Sequence, residues 1–162
     1  AALRFDPDVV VVGEIRDAEA NSTVEASLTG HTVVTTVHSG PAESAHGRIS
    51  LLCQRRFQLG MEVSLSQSRQ AFPIVVFAHK CEDNSRKVMD ITECEVTPDG
   101  KTFYRCLYRY NITENIYDGN KFTSKGEFEK VNTPSDYLKT LLTRSGVPQD
   151  ELSKFTRKEM TE

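Results

Sequence analysis

The chain has 162 residues, 38% of them hydrophobic and 27% charged, which is enough for an ordered core and excludes a low-complexity or disordered chain. A net charge of −3 gives no global drive toward nucleic acid or anionic lipid. No apolar run approaches the roughly 20 residues of a membrane span, and the N-terminus lacks the charged-then-apolar pattern of a signal peptide.

The first clear element is Val9 to Val12 within "DPDVVVVGEIRD". An uninterrupted β-branched run predicts a strand covered on both faces in a parallel sheet. Asp17 is the expected N-cap of a helix carrying Ala20, Val24 and Leu28 at steps of four, and Gly30 its C′ residue. "HTVVTTVH", His31 to His38, predicts the next strand. After Ser39-Gly40-Pro41 a second helix carries Ala42, Ala45, Ile49 and Leu52 at steps of three and four. Strand–helix–strand–helix with short connections argues for a parallel α/β sheet.

From Met61 the character changes. Leu65 to Phe72 predicts a short helix and "FPIVVFAH" a further strand. "RKVMDITECEV" and "TFYRCLYRYNI" flank Pro98-Asp99-Gly100 and predict a β-hairpin. Ile116 to Val131 is polar and reads as a second turn or an irregular loop. Thr133-Pro134-Ser135-Asp136 predicts a helix start with proline at N1, followed by Leu138, Leu141 and Leu142. A last helix is expected near Pro148 to Arg157, presenting Leu152 and Phe155.

A hydrophobic strand ending in Glu14 has a mechanical use. It places a carboxylate at the C-terminal edge of a parallel sheet, where open α/β proteins bind ligands. If the second strand runs parallel, His38 leaves it at the same edge, where an imidazole N–H suits an anionic phosphate oxygen. His31, at the strand's beginning, falls at the opposite edge, where a supporting or subunit-contact role suits it. The cysteines (Cys53, Cys81, Cys94 and Cys106) include no C-x-x-C pair, and His79 with Cys81 is a weak metal signal. Unpaired thiols fit a reducing cytoplasm better than a secreted disulfide framework.

Taken together, "LRFDPDVVVVGEIRD" and "TGHTVVTTVHSGPAESAHGRI" resemble the Walker B and histidine boxes of the bacterial type II and type IV secretion ATPase superfamily, which includes the type IV pilus motors. The resemblance spans roughly Leu3 to Arg48. It implies the C-terminal part of a RecA-like P-loop ATPase domain, followed by a β-hairpin and small C-terminal helices. The implied divisions are 1–80, 81–132 and 133–162. Glu14 falls on the family's catalytic glutamate, which holds magnesium through water. His31 and His38 fall on the histidine-box positions tied to γ-phosphate sensing, with His38 as the direct sensor. Arg4, Arg16 and Arg48 match recurrent arginines. ATP and magnesium are the implied cofactors, and a homo-hexamer with an inner-membrane platform protein the implied assembly. The implied location is the bacterial cytoplasm, peripheral at the inner face of the membrane. The later half resembles the tight-adherence pilus branch, except that "FAHK" stands where that branch has an arginine.

No G-x-x-x-x-G-K-[ST] occurs in the 162 residues. That loop supplies the phosphate cradle, so the chain alone is expected neither to bind ATP tightly nor to hydrolyse it. A motor fragment and a non-catalytic interaction module of a secretion system both remain open at this point. A third reading takes Phe103 to Asn111 as a nucleic-acid platform, because aromatics alternating with arginines can stack bases. The same alternation is what a packed hairpin strand shows, and the acidic chain favours packing, with no nucleic-acid partner expected.

Overall fold

The computed structural model describes residues 7–55 and 60–156. The chain forms two compact units, 1–73 and 74–162. The first alternates strand and helix, as the periodicity predicts. It comprises β1 (Val9–Val12), α1 (Glu19–Leu28), β2 (Thr32–Thr35), α2 (Ala42–Gln54) and α3 (Met61–Ala71). β1 and β2 pair parallel in the register Val9↔Thr32 to Val12↔Thr35.

The core of this unit lies among the helices. Ile15, Ala20, Val24, Ile49, Leu52, Cys53 and Ala71 form it, with Val37 and Phe72 packed against it. Ala42, Ala45, Ile49 and Leu52 are all buried, so the stripe predicted for α2 is its inner face. The seam between α2 and α3 is built from small and polar side chains. Ser50, Ser64 and Ser68 are fully buried there, and the His46 ring, also buried, hydrogen-bonds the Phe72 carbonyl at 2.9 Å. Burial pushes the His46 pKa down, so the ring is neutral and donates that bond.

In this first unit the structure departs from the sequence reading in the burial of β1 and in the cap of α1. Val9 and Val11 are 48% and 72% exposed rather than covered on both faces, because no described element packs on that side of the sheet. Asp17 does not cap α1. The helix follows Ala18, and the Glu19 carboxylate reaches back to accept the Arg16 and Asp17 amides at 2.5 and 3.1 Å. Gly30 does close the helix, with φ of +104° that suits a residue lacking Cβ.

The second unit is an antiparallel sheet with two small helices: β3 (Ile74–Lys80), β4 (Arg86–Val96), β5 (Thr102–Tyr117), β6 (Phe122–Lys130), α4 (Asp136–Arg144) and α5 (Gln149–Thr156). The strand order is β3-β4-β5-β6. The predicted hairpin is β4–β5. Phe122 to Lys130, expected as turn or loop, is instead a strand, because β5 continues to Tyr117 and pairs with it throughout. Gly126 is needed in that ladder: a Cβ there would stand 2.2 Å from the Asn111 carbonyl and 2.8 Å from the Tyr110 ring. Arg105 reaches Glu93 at 3.8 Å and Glu95 at 3.6 Å, and Leu107 is buried, whereas Phe103 is 50% exposed.

Two acidic side chains tie this unit together. Glu93, fully buried on β4, accepts the Ser135 amide at 2.9 Å and the Ser135 hydroxyl. Ser135 in turn accepts the Leu138 amide at 3.1 Å and is the N-cap of α4, so Pro134 lies before the cap rather than at N1. The predicted end of the last helix at Arg157 lies outside the described residues.

Asp83, in the β3–β4 turn, accepts from the Ser85 hydroxyl at 2.5 Å, the Ser124 amide of β6 at 3.0 Å and the Ser85 amide at 2.9 Å. The sheet is therefore coiled enough for this turn to touch its fourth strand. Those donors lower the Asp83 pKa from 3.8 to about 2, the Ser85 hydroxyl contributing most. A lowered carboxyl pKa stabilises the fold above the unfolded value and loses that contribution as pH falls through the folded one. Urea midpoints measured from pH 5 to 2 should thus fall between about 3.8 and 2, and Asp83→Asn should lower the midpoint at pH 7 and flatten that part of the acid slope. Identical slopes for the two proteins would contradict this role.

Candidate functional site

The parallel register decides which side chains meet. Its last pair is Val12↔Thr35, so both strands end at one edge of the sheet. Glu14 follows β1 and His38 follows β2 at that edge. The His38 Nε2 lies 3.2 Å from one Glu14 carboxylate oxygen, and an Arg16 Nη lies 2.5 Å from the other. Glu14 is half-buried, whereas the His38 side chain is 91% exposed and open to a ligand in solution.

The electrostatics follow from these contacts. The hydrogen bond from Arg16 holds the Glu14 pKa below its ordinary value. Partial desolvation opposes that shift, and the charges of Arg16 and His38 reinforce it. The same ion pair raises the Arg16 pKa. Glu14 is therefore an anion held by two donors, at the position where an open α/β sheet presents its ligand site.

The other sequence candidates lie elsewhere. His31 precedes β2 and sits at the opposite end of that strand from His38. Its Nδ1 is buried without a hydrogen-bond partner, and the structure does not bring it to Glu14. Arg48 is exposed on α2, and no described hydrogen bond or ion pair joins it to Glu14. Arg4 lies outside the described residues.

The sequence alone assigns Arg16 no individual role and does not single out Thr36 within the strand His31 to His38. The structure gives Arg16 a direct ion pair to Glu14. It gives Thr36 two bonds to the backbone around Glu14: its hydroxyl donates to the Gly13 carbonyl at 2.7 Å, and its carbonyl accepts the Ile15 amide at 2.7 Å. The nearness of Arg16 to Glu14 in the chain could have suggested the first. Nothing local could have shown the second.

Among the described residues no group of three or more His, Cys, Asp or Glu is gathered for a metal. A magnesium ion at this edge would depend on Glu14 and water rather than on a protein cage, which is the binding style of that hard cation. An exposed imidazole likewise suits a phosphate oxygen. The residues present thus fit one side of a magnesium–phosphate site, and they do not replace the N–H cradle of a phosphate-binding loop.

A family model described as Type II/IV secretion system protein matches residues 1–120. The competence protein ComGA of Halalkalibacterium halodurans is 43% identical over 77 residues, covering 47% of this chain and 20% of that protein. The type IV pilus assembly ATPase PilB of Thermus thermophilus is 35% identical over 106 residues, 65% of this chain and 10% of that protein. The type II secretion system protein E of Klebsiella pneumoniae is 58% identical over 50 residues, 30% of this chain and 10% of that protein. The chain spans 10% to 20% of the length of these curated relatives. The fold resembles the VirB11 ATPase of the Brucella suis type IV secretion system, a structure solved with sulphate. The TM-score is 0.52 at 22% identity, over 57% of this chain and 29% of that one.

The Arg16 contact has a direct test. In Arg16→Gln the Glu14 titration, followed through its side-chain carboxyl ¹³C resonance, should move up toward the ordinary value of 4.5. An unchanged titration would show that the ion pair does not form in solution.

Proposed function

This chain belongs to the type II/IV secretion system protein family, and on that premise we propose that it is the Walker B and histidine-box portion of a motor. That motor hydrolyses ATP to drive protein export or pilus assembly at the inner membrane. The observation that carries this reading is the meeting of Glu14 and His38 at one edge of a parallel sheet, 3.2 Å apart.

Glu14 is the general base: one carboxylate oxygen takes a proton from the attacking water and orients that water in line with the terminal phosphate. Magnesium, when bound, neutralises charge on the phosphate oxygens. His38, exposed beside Glu14, donates its Nε2–H to the terminal phosphate and so reports its presence. Arg16 keeps Glu14 ionised before substrate arrives, and its ion pair must loosen for the carboxylate to accept a proton. His31, at the far end of β2, serves as a supporting or subunit-contact residue rather than a phosphate contact. Arg4 and Arg48 are supporting positions without individual roles. The parts that cradle phosphate are supplied outside these 162 residues, so the chain by itself is catalytically silent.

The assembly that fits this reading is a homo-hexamer with composite sites between subunits, working with an inner-membrane platform protein from the cytoplasmic side. Among the described residues no helix is long and apolar enough to cross a membrane. Contact with the membrane would then run through partners.

Phosphate release tests the reading. A motor that contains this segment together with a phosphate-binding loop should turn over ATP with magnesium, and Glu14→Gln should slow it by about 100-fold or more, the range of a general base. The 162-residue chain alone should release no phosphate above a buffer blank. Turnover by the chain alone, or full activity of the Glu14→Gln motor, would overturn the proposal.

A further inference from the structure

Glu14 lies beyond the β-ladder, since strand pairing ends at Val12↔Thr35. Gly13, directly before it, adds backbone freedom at the position where a catalytic carboxylate needs to be fixed. A misplacement of about 1 Å at such a group costs on the order of 100-fold in rate. Something other than the ladder must therefore hold this backbone.

The geometry points to Thr36 as the positioning residue of Glu14. Its hydroxyl donates to the Gly13 carbonyl at 2.7 Å, which anchors the peptide group entering Glu14. Its own carbonyl accepts the Ile15 amide at 2.7 Å, which anchors the peptide group leaving it. One residue thus grips both flanks of the carboxylate-bearing position. The grip is itself braced, because Ile15 is buried in the helical core and Val37, next to Thr36, packs against the same core. The Thr36 side chain is exposed, so its hydroxyl is not there to fill space.

This inference rests on the proposed role of Glu14, and the experiment separates the two. Thr36→Val keeps the β-branched shape and the Ile15 N–H bond and removes only the hydroxyl donor, while Thr36→Ser keeps the donor. In the 162-residue chain, Thr36→Val should move the Gly13 carbonyl ¹³C resonance upfield, and Thr36→Ser should leave it near its original position. In the motor with its phosphate-binding loop, Thr36→Val should lower kcat about tenfold, short of the full cost of misplacement. KM and the urea midpoint should not change, and Thr36→Ser should restore most of the rate. A wild-type kcat for Thr36→Val, a loss matched by the urea midpoint, or a failure of serine to restore the rate overturns the role of Thr36. Full activity of Glu14→Gln in the same assay overturns the reading of Glu14, and this inference with it. An inactive Glu14→Gln beside a fully active Thr36→Val overturns this inference alone.

Discussion

The site depends on one pairing: β1 and β2 lie side by side, parallel, from Val9↔Thr32 to Val12↔Thr35. Parallel direction puts both strand ends at one edge, and this register then brings Glu14 and His38, 24 positions apart in the chain, within 3.2 Å. An antiparallel pair would have sent His38 to the far edge. A slip of one residue would have turned the side chains of one strand to the other face. The short helix α1 makes the parallel return possible, and its buried Ala20 and Val24 join the core that also holds Ile15.

The two units solve the problem of holding polar groups in different ways. In the first, the edge carrying Glu14 and His38 leaves His38 and Arg16 open to solvent, and its order comes from hydrogen bonds to the backbone and from Ile15 and Val37, which pack in the helical core. In the second, carboxylates are taken inside. Glu93 is spent on Ser135 at the start of α4, and Asp83 on joining the β3–β4 turn to β6. A buried carboxylate with its lone pairs satisfied fixes one arrangement, because every alternative leaves the charge unpaired. That economy suits a coiled sheet whose exposed side chains include Phe103, Tyr117, Phe122 and Phe128.

What was legible in the sequence was local. The α2 stripe of Ala42, Ala45, Ile49 and Leu52 follows from helical spacing alone, and the β4–β5 hairpin from Pro98-Asp99-Gly100 between alternating runs. Glu14 and His38 were legible as strand ends whose parallel pairing is a common solution. β6 was not, since "FTSKGEFEK" has little apolar periodicity and is a strand only because β5 pairs with it. The α4 start was misread because proline is a good first-turn residue: the sequence reading put Pro134 at N1, whereas the Ser135 side chain accepts the Leu138 amide and caps the helix. Val9 and Val11 have the pattern of doubly buried strand residues, but burial depends on neighbours that a strand's own residues do not specify. Thr36 was invisible for a related reason: its partners, Gly13 and Ile15, lie more than 20 positions away.

The most direct test of this account is the β1–β2 register in solution, read from amide–amide and amide–α nuclear Overhauser contacts between the strands together with contacts from the His38 ring to the Glu14 side chain. The account predicts parallel contacts joining Val9–Val12 to Thr32–Thr35 in step, with the His38 ring close to Glu14. Antiparallel contacts, a register shifted by one residue, or a His38 ring remote from Glu14 would contradict it.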